Sequence, residues 1–307
     1  MQSLVQPLFD GPIDVVGDVH GELDALLDLL RHLGYDEHGL HPEGRRISFL
    51  GDLTDRGPDS PGVVALVHSL IESGRAQCVL GNHDLNILLG RRKYDNAWYF
   101  GEEFRQDGFL VPQALADQGI RDKVNALFGT LPLALERGDV RVVHACWHPS
   151  MIETARTETS VAEFCEKQRH LIEDDQKSRP NLDECDRNLE RQNRNPVKVL
   201  TSGLERRSAK PFLAGGKMRL EERVDWWEDY GDPQMCIFGH YWATLTNRYR
   251  HGAAYCIDFS VGKRWVERRD GGPPFKTKLA AFRLPEVMLV FDNGKSEDLR
   301  NIFGREH

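Results

Sequence analysis

Short apolar runs recur along the chain, and each stops abruptly at a glycine or a histidine. "IDVVGD" ends in Gly17 and Asp18, and "ISFLGD" in Gly51 and Asp52. "CVLGNHD" ends in Gly81, Asn82, His83 and Asp84, and "MCIFGH" in Gly239 and His240. "VRVVHACWHP" lacks the glycine but ends in His144. Runs this short, rich in β-branched residues and bounded by turn formers, predict buried strands. Between them Leu23, Leu26, Leu27, Leu30 and Leu33 keep the helical period, with Gly34 suited to the position after the last turn. A second helix is predicted from Ser60 as N-cap, with Pro61 in the first turn, through Val64, Val67, Leu70 and Ile71 to Gly74. Strand–helix alternation implies βαβ units, in which functional groups gather at strand ends. Glycine there lets the backbone turn sharply.

The stretch at about 150–235 breaks the pattern. "IEDDQKSRPNLDECDRNLERQNRNP" is strongly polar, with a thin apolar stripe at Leu182, Cys185 and Leu189. It reads as solvated helices joined by loops and inserted between His144 and His240, either a cap over the site or a surface excursion. Beyond His240, "AYCIDF", "LAAFRL" and "VMLVF" read again as strands. No low-complexity linker intervenes, so residues 1–307 are expected to form one domain with a polar helical insertion.

Composition narrows the class. With 307 residues, 40% hydrophobic and 29% charged, the chain can bury a substantial core. A net charge of −8 disfavours general binding of duplex nucleic acid, which needs a basic face. No basic segment followed by a long apolar run opens the chain, and no run approaches the ~18 residues of a membrane span, so a cytoplasmic protein without membrane contact is expected. Cys78, Cys146, Cys165, Cys185, Cys236 and Cys256 are scattered without a CxxC pair and read as reduced thiols.

The strand-end residues define the chemistry. Asp18, His20, Asp52, Asn82, His144 and His240 offer oxygen and imidazole nitrogen without thiolate, which suits Mn, Fe or Zn. Six protein ligands exceed the needs of one open catalytic ion. They fit two ions roughly 3.5–4 Å apart with one shared carboxylate. Asp52, between the others in chain order, is the natural bridge. Such a pair activates water near neutral pH and binds phosphoryl oxygens, with Mn the first expectation. Arg56 then suits a phosphate clamp, His83 the acid that protonates a leaving oxygen, and Asp55 the group that orients His83. Taken singly, each residue has a plainer reading: an acid after a strand commonly closes a turn, and Arg56 can pair with Asp52 or Asp55. Recurrence at several strand ends favours a site. His148 is expected to be structural or to support a ligand.

"GDVHG", "GDLTDRG" and "GNHD", followed by "VVHA" and "FGH", resemble the signature of the phosphoprotein phosphatases among the calcineurin-like metallophosphoesterases, in a bacterial-type member. The resemblance covers about 13–150 and 235–291 and omits the insertion. It implies a two-sheet β-sandwich flanked by helices, with a dinuclear site at the strand ends. Asp18 and His20 would hold one ion, Asn82, His144 and His240 the other, and Asp52 both. His83 with Asp55 would be the acid pair and Arg56 a clamp. Cys146 stands where the family usually has glycine. The second phosphate-binding arginine has no secure counterpart, with Arg206 or Arg207 the candidates. The first functional expectation is a serine/threonine-phosphatase-like phosphomonoesterase acting on a phosphoprotein or small phosphate ester. The alternatives are a dinucleoside polyphosphate (diadenosine tetraphosphate) hydrolase, which "GNHDLN" with Asp84 resembles, an RNA-end phosphatase, or a catalytically dead binding module. Trp98, Tyr99, Phe100, Trp226 and Trp227 are expected mainly in the core or packed in a lid, with base stacking as their other use.

Overall fold

The computed structural model describes residues 2–106, 108–214, 217–243 and 250–300. The chain begins β1 (Val5–Pro7), β2 (Ile13–Val16), α1 (Leu23–Leu33), β3 (Arg46–Phe49), α2 (Ser60–Glu72), β4 (Ala76–Cys78) and α3 (Asn82–Leu88). A hairpin of β5 (Phe104–Gln106) and β6 (Phe109–Val111) follows, then α4 (Gln118–Phe128), β7 (Ala134–Glu136) and β8 (Val140–Val143). Next come α5 (Pro149–Ala155), α6 (Val161–Lys177), α7 (Glu184–Asn193), α8 (Pro196–Ser202), β9 (Glu205–Ala214) and β10 (Lys217–Arg223). The last part holds β11 (Met235–Phe238), β12 (Arg250–His251), β13 (Ala254–Cys256), α9 (Arg264–Arg269), β14 (Ala280–Leu284), β15 (Met288–Phe291) and β16 (Ser296–Asp298).

Two mixed sheets carry the fold, in the orders β1-β7-β8-β11-β13-β12 and β16-β15-β14-β2-β3-β4. The two-sheet architecture with flanking helices is the one expected. In the second sheet β2, β3 and β4 run parallel; in the first, β8, β11 and β13 do. Their carboxyl ends, where the polar residues follow, therefore lie together within each sheet. The sheets share one apolar core: Tyr255 of β13 and Phe282 of β14 meet with ring centroids 4.9 Å apart.

Each apolar run expected as a strand contains one except "CVLGNHD", where β4 lies almost wholly before the run and ends at Cys78, its first residue. Gly34 closes α1 in the left-handed conformation, as anticipated. The start of α2 differs by one residue. Asp59 is the N-cap and accepts from the Gly62 N–H, because the Ser60 hydroxyl is engaged with the Asp55 N–H at 2.9 Å. One polar residue inside a buried strand escaped the pattern. Asp14 of β2 is fully buried and accepts from Tyr35 at 2.8 Å, Arg283 at 2.8 Å and Arg45 at 3.2 Å.

Residues 149–202 carry four helices joined by loops, whereas 205–223, within the stretch read as helical, form an antiparallel hairpin with exposed Phe212, Leu213 and Met218. The helices are less peripheral than their composition suggests. Val161, Phe164, Val197 and Leu200 are buried in the main core, and the Ala145 N–H donates to the Leu200 carbonyl just after His144. Among the described residues no helix is long and apolar enough to cross a membrane.

Candidate metal centre

Loops after β2, β3, β4, β8 and β11 bring the strand-end side chains together between the sheets. Close approach explains the glycines. Gly51, at φ +83°, lies against Gly81, where an added Cβ would come within 2.4 Å of the Gly81 nitrogen. At Gly239 a Cβ would sit 1.9 Å from Asp18 Oδ1. His20, Asp52, Asp55, Arg56 and His240 themselves adopt positive φ. Such conformations cost roughly 1–3 kcal/mol each for ordinary residues and persist where surrounding structure enforces them, typically at functional sites.

Asp52 is central and buried. Its Oδ1 accepts from the His83 N–H at 2.9 Å, while Oδ2 lies 3.7 Å from His20 Nε2 and 3.4 Å from His144 Nε2. His20 Nδ1 is 3.0 Å from the Thr54 carbonyl and His144 Nδ1 is 2.7 Å from the Leu50 carbonyl. Each Nδ1 thus faces a backbone acceptor and each Nε2 faces the site. Burial opposes charge on His144, but the Asp52 and Asp18 carboxylates prevail and raise its pKa to about 10, so its Nε2 carries a proton that a bound cation would displace. Asn82 Oδ1 lies 2.8 Å from His240 Nδ1 and 3.2 Å from His144 Nε2. Asp18 Oδ2 accepts from the His240 N–H at 3.0 Å. His20, Asp52 and His83 form one ligand-bearing group, and Asp52, His144 and His240 another, joined at Asp52. Four of the six candidate ligands, His20, Asp52, His144 and His240, fall in these two groups, Asn82 lies against His144 and His240, and Asp18 reaches the His240 backbone.

The donor set fits divalent cations. Asp18 Oδ1 and His240 Nε2 are buried without a hydrogen-bond partner, a costly state in a protein-only environment. Burial, with the Asp258 carboxylate nearby, pushes Asp18 well above the usual carboxylate range. Burial opposes the charge on Asp52 too, but His144 and His83 outweigh it and hold Asp52 well below that range. Burial and Arg56 depress His20, and burial and Arg223 depress His240, so both are neutral imidazoles able to ligate. Cys146 is buried outside these groups, and burial raises its thiol pKa, which argues against a thiolate ligand. All six cysteines are free and buried.

The expected acid pair is also assembled. His83 Nδ1 lies 2.6 Å from Asp55 Oδ2, and Asp55 Oδ1 accepts from Trp98 Nε1 at 2.7 Å. Burial and Arg56 pull the His83 pKa down, but Asp95, Asp52 and the Asp55 bond prevail and raise it to about 9. Arg56 Nη1 is 3.0 Å from His20 Nε2 and Nη2 is 2.8 Å from His83 Nε2. Its Nε donates to buried Asp95 at 3.1 Å. Asp95 was not anticipated. Nothing in "RKYDNAWYF" marks it, since its role comes from a fold-back onto Arg56.

Other expectations are redistributed. Arg206 pairs with Glu222, and Arg207 with Asp183 and Asp186, on the exposed hairpin. Their partners hold both as surface ion pairs, so neither reaches the cluster. Arg223 instead donates to the His240 carbonyl at 3.1 Å. Trp98, Trp226 and Trp227 are buried, with Trp226 Nε1 bonded to the Ala145 carbonyl at 2.8 Å, so they serve in packing, and Trp226 also lines a cavity of about 310 Å³. Tyr99 is buried and Phe100 packs against the core. His148 caps α5 beside Ser150, outside the ligand groups. Asp84 is fully buried and accepts from the Leu53 and Gly81 N–H groups and the Thr54 hydroxyl, tying two motif loops together.

Known proteins resemble this chain to different extents. A bis(5'-nucleosyl)-tetraphosphatase PrpE [asymmetrical] from Geobacillus sp. is 36% identical over 141 residues, 43% of this chain and 56% of that protein. The chain thus spans little more than half the length of that curated relative. A cold-active protein-tyrosine phosphatase from a Shewanella species superposes with a TM-score of 0.54 at 16% identity, covering 96% of this chain and 83% of that one. A protein serine/threonine phosphatase from Saccharomyces cerevisiae gives 0.53 at 14% identity, covering 93% and 78%. At such identities the likeness is one of fold. The sequence model of the calcineurin-like phosphoesterases matches residues 11–242, the span from before β2 to just beyond His240. The chain therefore belongs to the calcineurin-like phosphoesterase family.

Proposed function

We propose that the chain hydrolyses dinucleoside polyphosphates at a dinuclear centre. The observation that carries the two-metal reading is Asp52, whose Oδ2 stands between the imidazoles of His20 and His144. Asp18 and His20 would hold one ion and Asn82, His144 and His240 the other, with Asp52 shared. Bound divalent ions would supply Lewis-acid polarisation of a phosphoryl group and activation of water. Arg56 and Arg223, at opposite ends of the ligand cluster, bind phosphoryl oxygens through their N–H forks. Asp95 holds Arg56 in place. His83, oriented by Asp55, delivers a proton from Nε2 to the departing oxygen. Arg56 must then shift from His83 Nε2 toward phosphate. The chain is read as one domain whose 150–235 segment braces the loop after β8.

The substrate reading rests on the PrpE relatives, which align with 43% and 26% of the chain and are named for bis(5'-nucleosyl)-tetraphosphate. They favour this reading over the phosphomonoesterase that the motifs first suggested. Manganese remains the expected metal. The test is kcat/KM for diadenosine tetraphosphate, an aryl phosphomonoester and the matching diester at equal Mn²⁺. The dinucleotide is expected to lead; preference for the monoester would overturn the substrate reading. Asp52→Asn should abolish turnover and bring metal content below two ions per chain. Two retained ions with normal turnover would overturn the bridge.

A further inference from the structure

A cavity of about 270 Å³ opens beside the metal centre, with Arg56 in its wall. The rest of the lining includes Phe109 and Leu110 from the β5–β6 hairpin and Trp265, Arg268 and Arg269 from α9. Phe109 is 55% exposed and Leu110 46%, large apolar surface that the core does not use. Trp265 is half-buried, its ring set edge-on to Phe104 at 6.4 Å. The Arg269 guanidinium lies 5.4 Å from the Phe109 ring and 5.7 Å from the Trp265 ring. Arg268 is held by the buried Glu22 carboxylate. The segment leading into α9 packs on the metal centre itself, since a Cβ on Gly262 would come within 2.5 Å of His20 Cδ2.

We infer that this cavity is the nucleoside subsite, taking a purine-sized ring against Trp265 and Phe109 while the attached phosphates run past Arg56 to the metal centre. The inference rests on the dinucleotide reading above. The volume is near the lower end of small-molecule sites, roughly 300–1,000 Å³, and suits one nucleoside. The combination selects the ligand. An apolar peptide side chain would use the rings but gain nothing from guanidinium groups at the wall and mouth. A bare phosphate would use the cations but not the rings. A nucleotide uses both, stacking on aromatic faces while its anionic part meets arginine. Arg56 belongs to both compartments, which fixes the order base, phosphates, metal centre.

The experiment measures binding and turnover with the full chain. AMP and ribose 5-phosphate, which differ only in the base, are titrated calorimetrically into wild type, Trp265→Ala and Phe109→Ser. Wild type should bind AMP roughly ten- to a hundred-fold more tightly than ribose 5-phosphate, the range of stacking one base. Trp265→Ala should erase most of that difference and Trp265→Phe should restore much of it. Phe109 is exposed, so Phe109→Ser should fold normally and shrink the difference as well. In parallel, the preference for diadenosine tetraphosphate over inorganic tetrapolyphosphate should fall roughly ten-fold or more in Trp265→Ala. Equal wild-type affinity for AMP and ribose 5-phosphate overturns the subsite, as does an unchanged difference in both Trp265→Ala and Phe109→Ser. A wild-type chain that prefers AMP but leaves the dinucleotide intact refutes the substrate reading and keeps the base pocket.

Discussion

At the scale of single residues, His83 is where environment most changes ordinary behaviour. Its imidazole is buried with Arg56 Nη2 2.8 Å from Nε2, yet Asp95, Asp52 and Asp55 raise its pKa to about 9. An acid works only while protonated, so its contribution is present below the folded-state pKa and is lost as pH rises through it. Cations on Asp52 would neutralise one of the supporting charges, which places the alkaline limb at or below about 9. His83→Ala is expected to keep its metal and to lower kcat by roughly 10²–10⁴-fold for poor leaving groups, the usual contribution of a positioned acid. Activated aryl esters should lose less, because their leaving oxygen needs little protonation. The pH–rate profile with both ester types checks this. An equal loss on both, or an unchanged alkaline limb in the variant, would remove His83 from the acid role.

At the scale of elements, strand ends and the loops after them do the positioning. β2, β3 and β4 end side by side because they are parallel, and the glycines let their loops touch without side chains between them. Gly239 is the sharpest case, since its absent Cβ makes room for Asp18 from the opposite sheet. Gly239→Ala should displace the Asp18 carboxylate, reduce metal content and destabilise by roughly 1–3 kcal/mol, as overpacking usually does. Metal analysis and urea unfolding measure both effects. Full metal occupancy with unchanged turnover would show that the two loops are not in the contact described. α2 is tied into the same construction, because Ser60 at its first turn serves the Asp55 N–H and leaves capping to Asp59.

At the scale of the whole molecule, the site depends on two sheets holding a fixed relation. Asp14 helps set it. This carboxylate in β2 meets Arg45 beside β3 and Arg283 in β14, so it clips neighbouring strands of one sheet behind the loop that carries Asp18. Arg45 is itself buried and also reaches Glu286 at 2.7 Å. Removing one partner of a buried pair strands the other charge, at a cost of roughly 3–5 kcal/mol. Asp14→Ala is expected to lose that much in denaturant unfolding. A loss under about 1 kcal/mol would mean that water reaches Arg45 when the carboxylate is gone.

The sequence by itself marked β2, β3, β8, β11, β13, β14 and β15, the first two helices and six ligand candidates. Those features are local: an apolar run and the residue that ends it lie within a few positions, and their physics needs no distant partner. It also nominated His83 with Asp55 as an acid pair and Arg56 as a clamp, through motifs whose spacing is fixed along the chain. Only the tertiary structure decided what acts across the chain. Asp95 reached Arg56, Arg223 displaced Arg206 and Arg207 as the arginine beside His240, and Asp14 found its arginines, all through contacts between segments far apart. The aromatic residues divided in the same way. Burial took Trp98 and Trp226 out of solvent, while folding left Phe109 and Trp265 on the open cavity beside Arg56. A pattern of hydrophobicity says that a side chain can be buried, but the geometry of the neighbours decides whether it is.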